Sequence, residues 1–221
     1  MQSEFRYNID NVSYAAQAAE SVRTGERRVY YAIVPQWNNV KWFGDPAMPD
    51  SRQIIDIVNE LPTHPTEHYM ERDLSDITTI AIHHTVSPPD RSIASIASYH
   101  VSKGWPGIGY HFVISDTGEI YQTNGLTTKS YHVGSYAAPG DENLFSIGIA
   151  LQGDFTDNPP PPAQLNATKY LVQRLKGMLS TVTAVKGHRE MPGAATQCPG
   201  NSYQSWMPAI TGGDFELSKN L

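Results

Sequence analysis

Eight histidines and a single cysteine are the side chains of this 221-residue sequence best suited to hold a metal ion. His83, His188 and Cys198 stand apart from the others. Each lies at the end of a strand-like run or in the loop just after one, in "ITTIAIHH", "VTAVKGHRE" and "GAATQCPG". Sheets of the α/β class place their binding residues at such strand ends. Two neutral imidazoles and one thiolate suit Zn2+, and three protein ligands leave a fourth tetrahedral position for water or substrate, as in catalytic rather than structural zinc sites. His188 and Cys198 are ten residues apart in a Gly/Pro-containing loop, which is not the tight knuckle of a structural zinc site. Spacing alone therefore leaves open a small buried cysteine beside ordinary loop histidines.

The remaining histidines have plainer readings. His64 and His68 sit in the proline-rich stretch "LPTHPTEH" as solvated loop residues. His100 falls near the end of a helix, where an imidazole is favourable against the dipole. His111 alternates with Tyr110 along "GYHFV", so only one of the two faces a site on a given side. The same alternation turns His84 to the opposite face from His83, so at most one of the pair faces a given side.

Positioning these groups requires a sheet. "ITTIAIHH", Ile77 to His84, reads as a buried strand, and "DRSIASIASYHVSKGW" as an amphipathic helix with Ile93, Ile96, Ala97 and Val101 on one face. "IGYHFVISDTGEIYQ" reads as a hairpin turning at Asp116-Thr117-Gly118. "FSIGIALQGDF", Phe145 to Phe155, is a further strand. The run "NPPPPAQLNATKYLVQRLKGML" carries Leu171, Val172, Leu175, Met178 and Leu179 at helical spacing, with its prolines as a stiff approach and first turn rather than a ligand for an aromatic groove. "VTAVKGHRE" is a last short strand and "MPGAATQCPGNSY" a loop. Strands interleaved with helices, one pair of them a hairpin, predict an α/β fold with a mixed central sheet flanked by helices. Upstream, Ile9–Val22 reads as a short helix, Arg27–Val34 as a strand, 43–52 as a turn-rich boundary, and "QIIDIVNEL" as one or two helical turns. Residues 1–74 are accordingly expected to be an N-terminal extension or arm, 75–212 the principal domain and 213–221 a tail.

The formal net charge of −6 argues against nucleic-acid or acidic-membrane partners, which require clustered Lys and Arg. No window reaches the apolar length of a membrane span, and "MQSEFRYNIDNV" shows neither a basic nor an apolar signal region. One cysteine excludes an intramolecular disulfide.

Taken together, "IAIHHT", "GWPGIGYHFVISDTGEIYQ", "YHVGSYAAPGDENLFSIGIALQGDF" and "VKGHREMPGAATQCPG" resemble the zinc-dependent N-acetylmuramoyl-L-alanine amidases of type 2, which share their fold with peptidoglycan recognition proteins. The resemblance covers roughly residues 77–210. It implies Zn2+ on His83, His188 and Cys198, a catalytic hydroxyl at Tyr110 and a second polar contact at Thr196. It also implies a substrate groove lined by His132 and Asn143. A sugar–peptide substrate further calls for aromatic walls, for which Trp105, Tyr131 and Tyr136 are candidates. Some members carry a glutamate where this chain has Ala150, so the burden shifts to Tyr110. The implied activity is zinc-dependent cleavage of the amide between N-acetylmuramic acid and L-alanine, by a monomer acting on the cell wall. The alternatives are a muropeptide-binding module that does not cut, and another zinc amidohydrolase acting on a small acylated peptide.

Overall fold

A computed structural model of the chain describes residues 52–134 and 141–211, with the backbone of two further strands, Glu4–Ile9 (β1) and Val12–Gln17 (β2). The chain divides into two compact units, Met1–Trp42 and Phe43–Leu221. In the first, β1 and β2 pair antiparallel with Glu4 opposite Gln17. This replaces the helix expected from Ile9 onward. Phe5, Tyr7 and Ile9 alternate with Arg6 and Asn8, and that two-residue period outweighs the helix propensity of the alanines that follow. The expected strand Arg27–Val34, the turn-rich stretch before Arg52, Tyr136 and the tail 213–221 lie outside the described residues.

The second unit is built on a six-stranded sheet. Its strands are Ile54–Asp56 (β3), Thr79–His84 (β5), Phe112–Ile114 (β6), Ile120–Gln122 (β7), Ser146–Leu151 (β9) and Ala184–Gly187 (β10). They run in the order β10-β5-β9-β6-β7-β3. β10, β5, β9 and β6 are mutually parallel, β7 is antiparallel to β6, and β3 parallel to β7, so the sheet is mixed as expected. Met70–Glu71 (β4) and Thr128–Lys129 (β8) form a separate antiparallel pair.

Among the described residues four α-helices accompany the sheet: Ile93–Ser102 (α1), Glu142–Phe145 (α2), Pro162–Met178 (α3) and Tyr203–Thr211 (α4). Ser92 caps α1 by accepting the Ser95 N–H, and Pro162 occupies the first turn of α3 where its missing N–H costs nothing. α4 was not expected. Its Tyr203, Trp206, Met207 and Ile210 are buried at i, i+3, i+4 and i+7 against α3 and β10, although Pro208 lies within it.

Two expectations change in this unit. Gln53–Leu61 is not helical: Ile54–Asp56 adds an edge strand to β7, and only Val58–Glu60 makes a 3-10 turn. A short apolar run cannot distinguish helix from strand, and the open edge of β7 supplies the hydrogen bonds that decide it. The segment just before residue 74 therefore belongs to the main unit, and within it Arg72 is 7% exposed.

Alternation assigns the two faces of the sheet. Ile82, Ile149 and Phe112 stand in one cross-strand row, each fully buried, and α3 packs on β6 and β9. The next row, His83, Ala150 and Val113, points the other way, where Ala150 and Val113 meet Ile96 and Ala97 of α1. Ala81 and Gly148 share that second face.

Candidate metal centre

β5 delivers His83, and β10, parallel to it, ends in the 3-10 turn His188–Glu190 that carries His188. The Gly187 N–H donates to the Glu190 carboxylate, closing that turn. Cys198 is pinned from both sides: its carbonyl accepts the Arg189 N–H at 2.9 Å, and its own N–H donates to Thr196 Oγ1 at 3.1 Å. The His84 backbone N–H donates to Sγ at 3.4 Å. The ligand atoms of His83, His188 and Cys198 all lie within 4.8 Å of one another, and Sγ is 3.8 Å from His83 Nδ1. A tetrahedral zinc with sulfur and nitrogen at ordinary distances separates those atoms by about 3.6 Å. The three side chains thus fit one zinc ion.

Electrostatics agree with the fit. Burial, followed by the neighbouring His188 and His132 rings, holds the His83 pKa well below the ordinary imidazole value. Burial lowers that of His188 to about 4. Both rings are therefore neutral at pH 7, with a lone pair to offer. Burial pushes the Cys198 thiol up to about 12, the His84 N–H and Arg189 opposing it only in part. A thiolate forms in such a place when a cation coordinates it.

Tyr110 faces the same spot. Its ring lies 5.4 Å from that of His83, and no described residue hydrogen-bonds its hydroxyl. Burial, then Cys198, raises its pKa, so the hydroxyl stays protonated and able to donate. The expected alternation with His111 does not apply, because β6 begins only at Phe112, and the His111 ring lies 5.6 Å from that of His132 behind the site. His111 is fully buried, and its Nδ1 accepts the Gly148 N–H. Ala150 stands directly opposite His83 in the sheet register, a methyl beside the ligand. Thr196 is half-buried, its Oγ1 engaged with the Cys198 N–H. Trp105 is half-buried too, stacked on His100 at 4.7 Å and edge-on to Tyr131 at 6.2 Å. His100 itself is buried, its Nδ1 accepting the Gly109 N–H. The Tyr69 hydroxyl donates to the Ile108 carbonyl at 2.6 Å, and its ring meets Tyr131 edge-on.

Two expected groove residues are placed elsewhere. His132 is 4% exposed, with Nδ1 at 3.0 Å from His83 Nε2 and Nε2 at 3.2 Å from the Ser146 carbonyl. It backs the ligand instead of lining a wall. Asn143 is buried, its Oδ1 accepting the Val133 N–H and its Nδ2 donating to the Val133 carbonyl and to Asp141. Its amide is spent on holding that loop. His84 is likewise committed, its Nδ1 accepting the Phe155 N–H at 3.1 Å.

Sequence reasoning missed Arg72. Its guanidinium is held almost wholly by carbonyls, Nε donating to Leu126 and Nη1 to Asn143, Leu144 and Ser146, with Nη2 at 2.8 Å from His111 Nε2. Burial lowers its pKa to about 9, with Asp76 opposing, which keeps it charged at neutral pH. Nothing in "YMERDLSD" signals a buried cation.

Comparison with known proteins agrees with this geometry. The profile of the N-acetylmuramoyl-L-alanine amidase family matches residues 73–201, a span holding all three candidate ligands. Peptidoglycan-recognition protein SC1a of Drosophila melanogaster is 31% identical over 121 residues, 52% of this chain. The match covers 61% of that relative's own length. Among solved structures, the N-acetylmuramoyl-L-alanine amidase LysC of Clostridium intestinale is similar with a TM-score of 0.55 and 27% identity, over 72% of this chain and 97% of LysC. The ectodomain complex of peptidoglycan recognition proteins LCa and LCx bound to tracheal cytotoxin is similar with a TM-score of 0.57 and 27% identity, over 69% of this chain and 95% of the matched one. The chain belongs to the N-acetylmuramoyl-L-alanine amidase family.

Proposed function

We propose that the main unit hydrolyses the amide between N-acetylmuramic acid and the L-alanine that begins the peptidoglycan stem peptide, with Zn2+ held by His83, His188 and Cys198. The observation that carries this is the convergence of two neutral imidazoles and a thiol within 4.8 Å on a face of the sheet floored by small residues. Amide cleavage needs an activated water, a stabilised oxyanion and a proton for the departing amine. Zinc, when bound, supplies a Lewis acid that lowers the pKa of water and polarises a carbonyl.

The chain's own groups supply the rest. Tyr110 keeps its proton and has no competing partner among the described residues, so its hydroxyl is free to donate to the developing oxyanion. Thr196 Oγ1 accepts the Cys198 N–H, which leaves its hydroxyl proton for a second contact with the substrate. Ala150 excludes a carboxylate base beside His83, and that one feature favours the second reading, a muropeptide-binding module that does not cut. Retention of all three ligand types supports cleavage.

Incubation with peptidoglycan or a muramoyl-peptide, with and without a chelator, tests the proposal. The expected result is newly freed L-alanine amino groups, lost on chelation and restored by Zn2+. Binding without release would establish the recognition module, and release that persists after complete zinc removal would end the zinc reading. Tyr110→Phe should bind zinc normally and turn over roughly 100- to 1,000-fold more slowly, the usual effect of losing one oxyanion donor.

A further inference from the structure

We infer that Arg72 is a positioning residue for the zinc centre, acting through the Ser146 carbonyl and His132 to fix which nitrogen of His83 faces the metal. This rests on the zinc reading above and adds a residue outside the metal's immediate surroundings.

A histidine ligand must present a bare nitrogen to the metal while its other nitrogen donates to an acceptor that sets the tautomer. His83 presents Nδ1 toward Cys198 Sγ at 3.8 Å and Nε2 toward His132 Nδ1 at 3.0 Å. A second imidazole is an ambiguous partner, since either of its nitrogens can donate or accept. The ambiguity is resolved on the far side of His132. Its Nε2 lies 3.2 Å from the Ser146 carbonyl, which only accepts. It also lies 3.3 Å from Ser146 Oγ, which spends its proton on the Glu142 carbonyl at 2.6 Å and so accepts as well. His132 therefore carries its proton on Nε2. Its Nδ1 is bare, His83 must donate Nε2–H to it, and Nδ1 of His83 is left bare beside the sulfur.

Everything then depends on the Ser146 carbonyl staying in place, and Arg72 holds it. The same guanidinium that donates to Ser146 also grips Asn143 and Leu144 in α2 and Leu126 in a separate loop, which fixes the corner from which β9 starts. Both lone pairs of the Ser146 oxygen are used, one by Arg72 and one by His132. Only a planar group with several donors spans these carbonyls at once, and a lysine ammonium lacks that fork. Space for the relay comes from Gly148, where a Cβ would fall 2.5 Å from His132 Cγ.

The test measures Zn2+ affinity by competition with a chromophoric chelator for the wild type, Arg72→Lys, His132→Phe and the double variant, alongside the melting temperature of each metal-free protein. Each single change should weaken zinc binding about 10- to 100-fold, the usual cost of losing an outer partner. The double variant should lose no more than the worse single one, because the two groups act in series. A folded Arg72→Lys protein with wild-type zinc affinity, lowered melting temperature or not, would reduce Arg72 to a structural staple. Losses that multiply in the double variant would also overturn the inference. Should Arg72→Lys not fold, 15N spectra of the histidine rings in the metal-free wild type decide the matter. Nε2–H is expected on both His83 and His132, and Nδ1–H on either overturns it. Failure of the zinc reading itself would look different, as a wild type with no measurable zinc affinity.

Discussion

On the face of the sheet toward α3, β5, β9 and β6 present Ile82, Ile149 and Phe112, none with measurable exposure. On the opposite face β5 and β9 present Ala81, Gly148 and Ala150, and the His132 ring sits over Gly148. The contrast explains how adjacent histidines acquire different work. His84 falls on the first face, where its ring accepts a backbone N–H from Phe155 and supports a loop. His83 falls on the second, where it meets Cys198, His188, His132 and Tyr110. Bulk on one side fixes the strands by burying apolar area, and its absence on the other leaves room for polar groups to converge.

The sharpest way to break this comparison is to damage each face separately. Ile149→Ala should cost about 2–5 kcal/mol of stability, measured by denaturant unfolding of the metal-free protein, because it opens a cavity among fully buried side chains. Zinc affinity should stay unchanged at temperatures where the variant is folded. Cys198→Ser should do the reverse, abolishing tight zinc binding and amide hydrolysis while moving the metal-free unfolding midpoint little. If Ile149→Ala lowered zinc affinity in the folded state, the faces would be coupled and the contrast would fail.

A smaller effect concerns His100, which anchors the aromatic end of the second face by accepting the Gly109 N–H and stacking on Trp105. Burial lowers its pKa to about 4, from about 6.5 in the unfolded chain. The unfolded chain therefore takes up this proton first as pH falls. His100 contributes its full stability above about pH 6.5, and the contribution is lost progressively down to about pH 4, up to about 3 kcal/mol in all. His100→Asn keeps an acceptor for Gly109 and removes the titration. The difference in unfolding free energy between wild type and variant should slope through that window and flatten above it, since the other histidines titrate in both proteins. A difference with no slope there would show that the ring is not held neutral.

These faces were partly legible in the sequence. Strand alternation separated His83 from His84, and turn chemistry located the hairpin at Asp116–Gly118, whose Gly118 has φ +90°. What escaped was whatever depended on distant backbone. His132 and Asn143 are polar residues in motif-rich loops, and the sequence cannot show that carbonyls and amides from Ser146 and Val133 have already claimed their side chains. Arg72 is harder still, because its partners are main-chain oxygens, which every sequence contains. α4 was readable by its spacing and was obscured by Pro208, and β3 by an apolar run too short to declare its period.

The least expected cost falls on Thr196, where both proposed roles belong to one hydroxyl. Its oxygen accepts the Cys198 N–H and so steadies the ligand loop, while its proton is the part available to a substrate carbonyl. Thr196→Val keeps the shape and removes both, and Thr196→Ser keeps both. If the loop contact dominates, Thr196→Val weakens zinc binding by an amount equivalent to about 0.5–1.5 kcal/mol, the ordinary worth of one hydrogen bond, and catalysis by the zinc-saturated variant is unchanged. If the substrate contact dominates, zinc affinity holds and kcat falls at saturating metal. Serine should rescue either loss, because its hydroxyl reaches the same N–H. We expect the kcat effect to be the larger. The oxygen shares its loop-holding task with the Arg189 N–H, which pins Cys198 through the carbonyl.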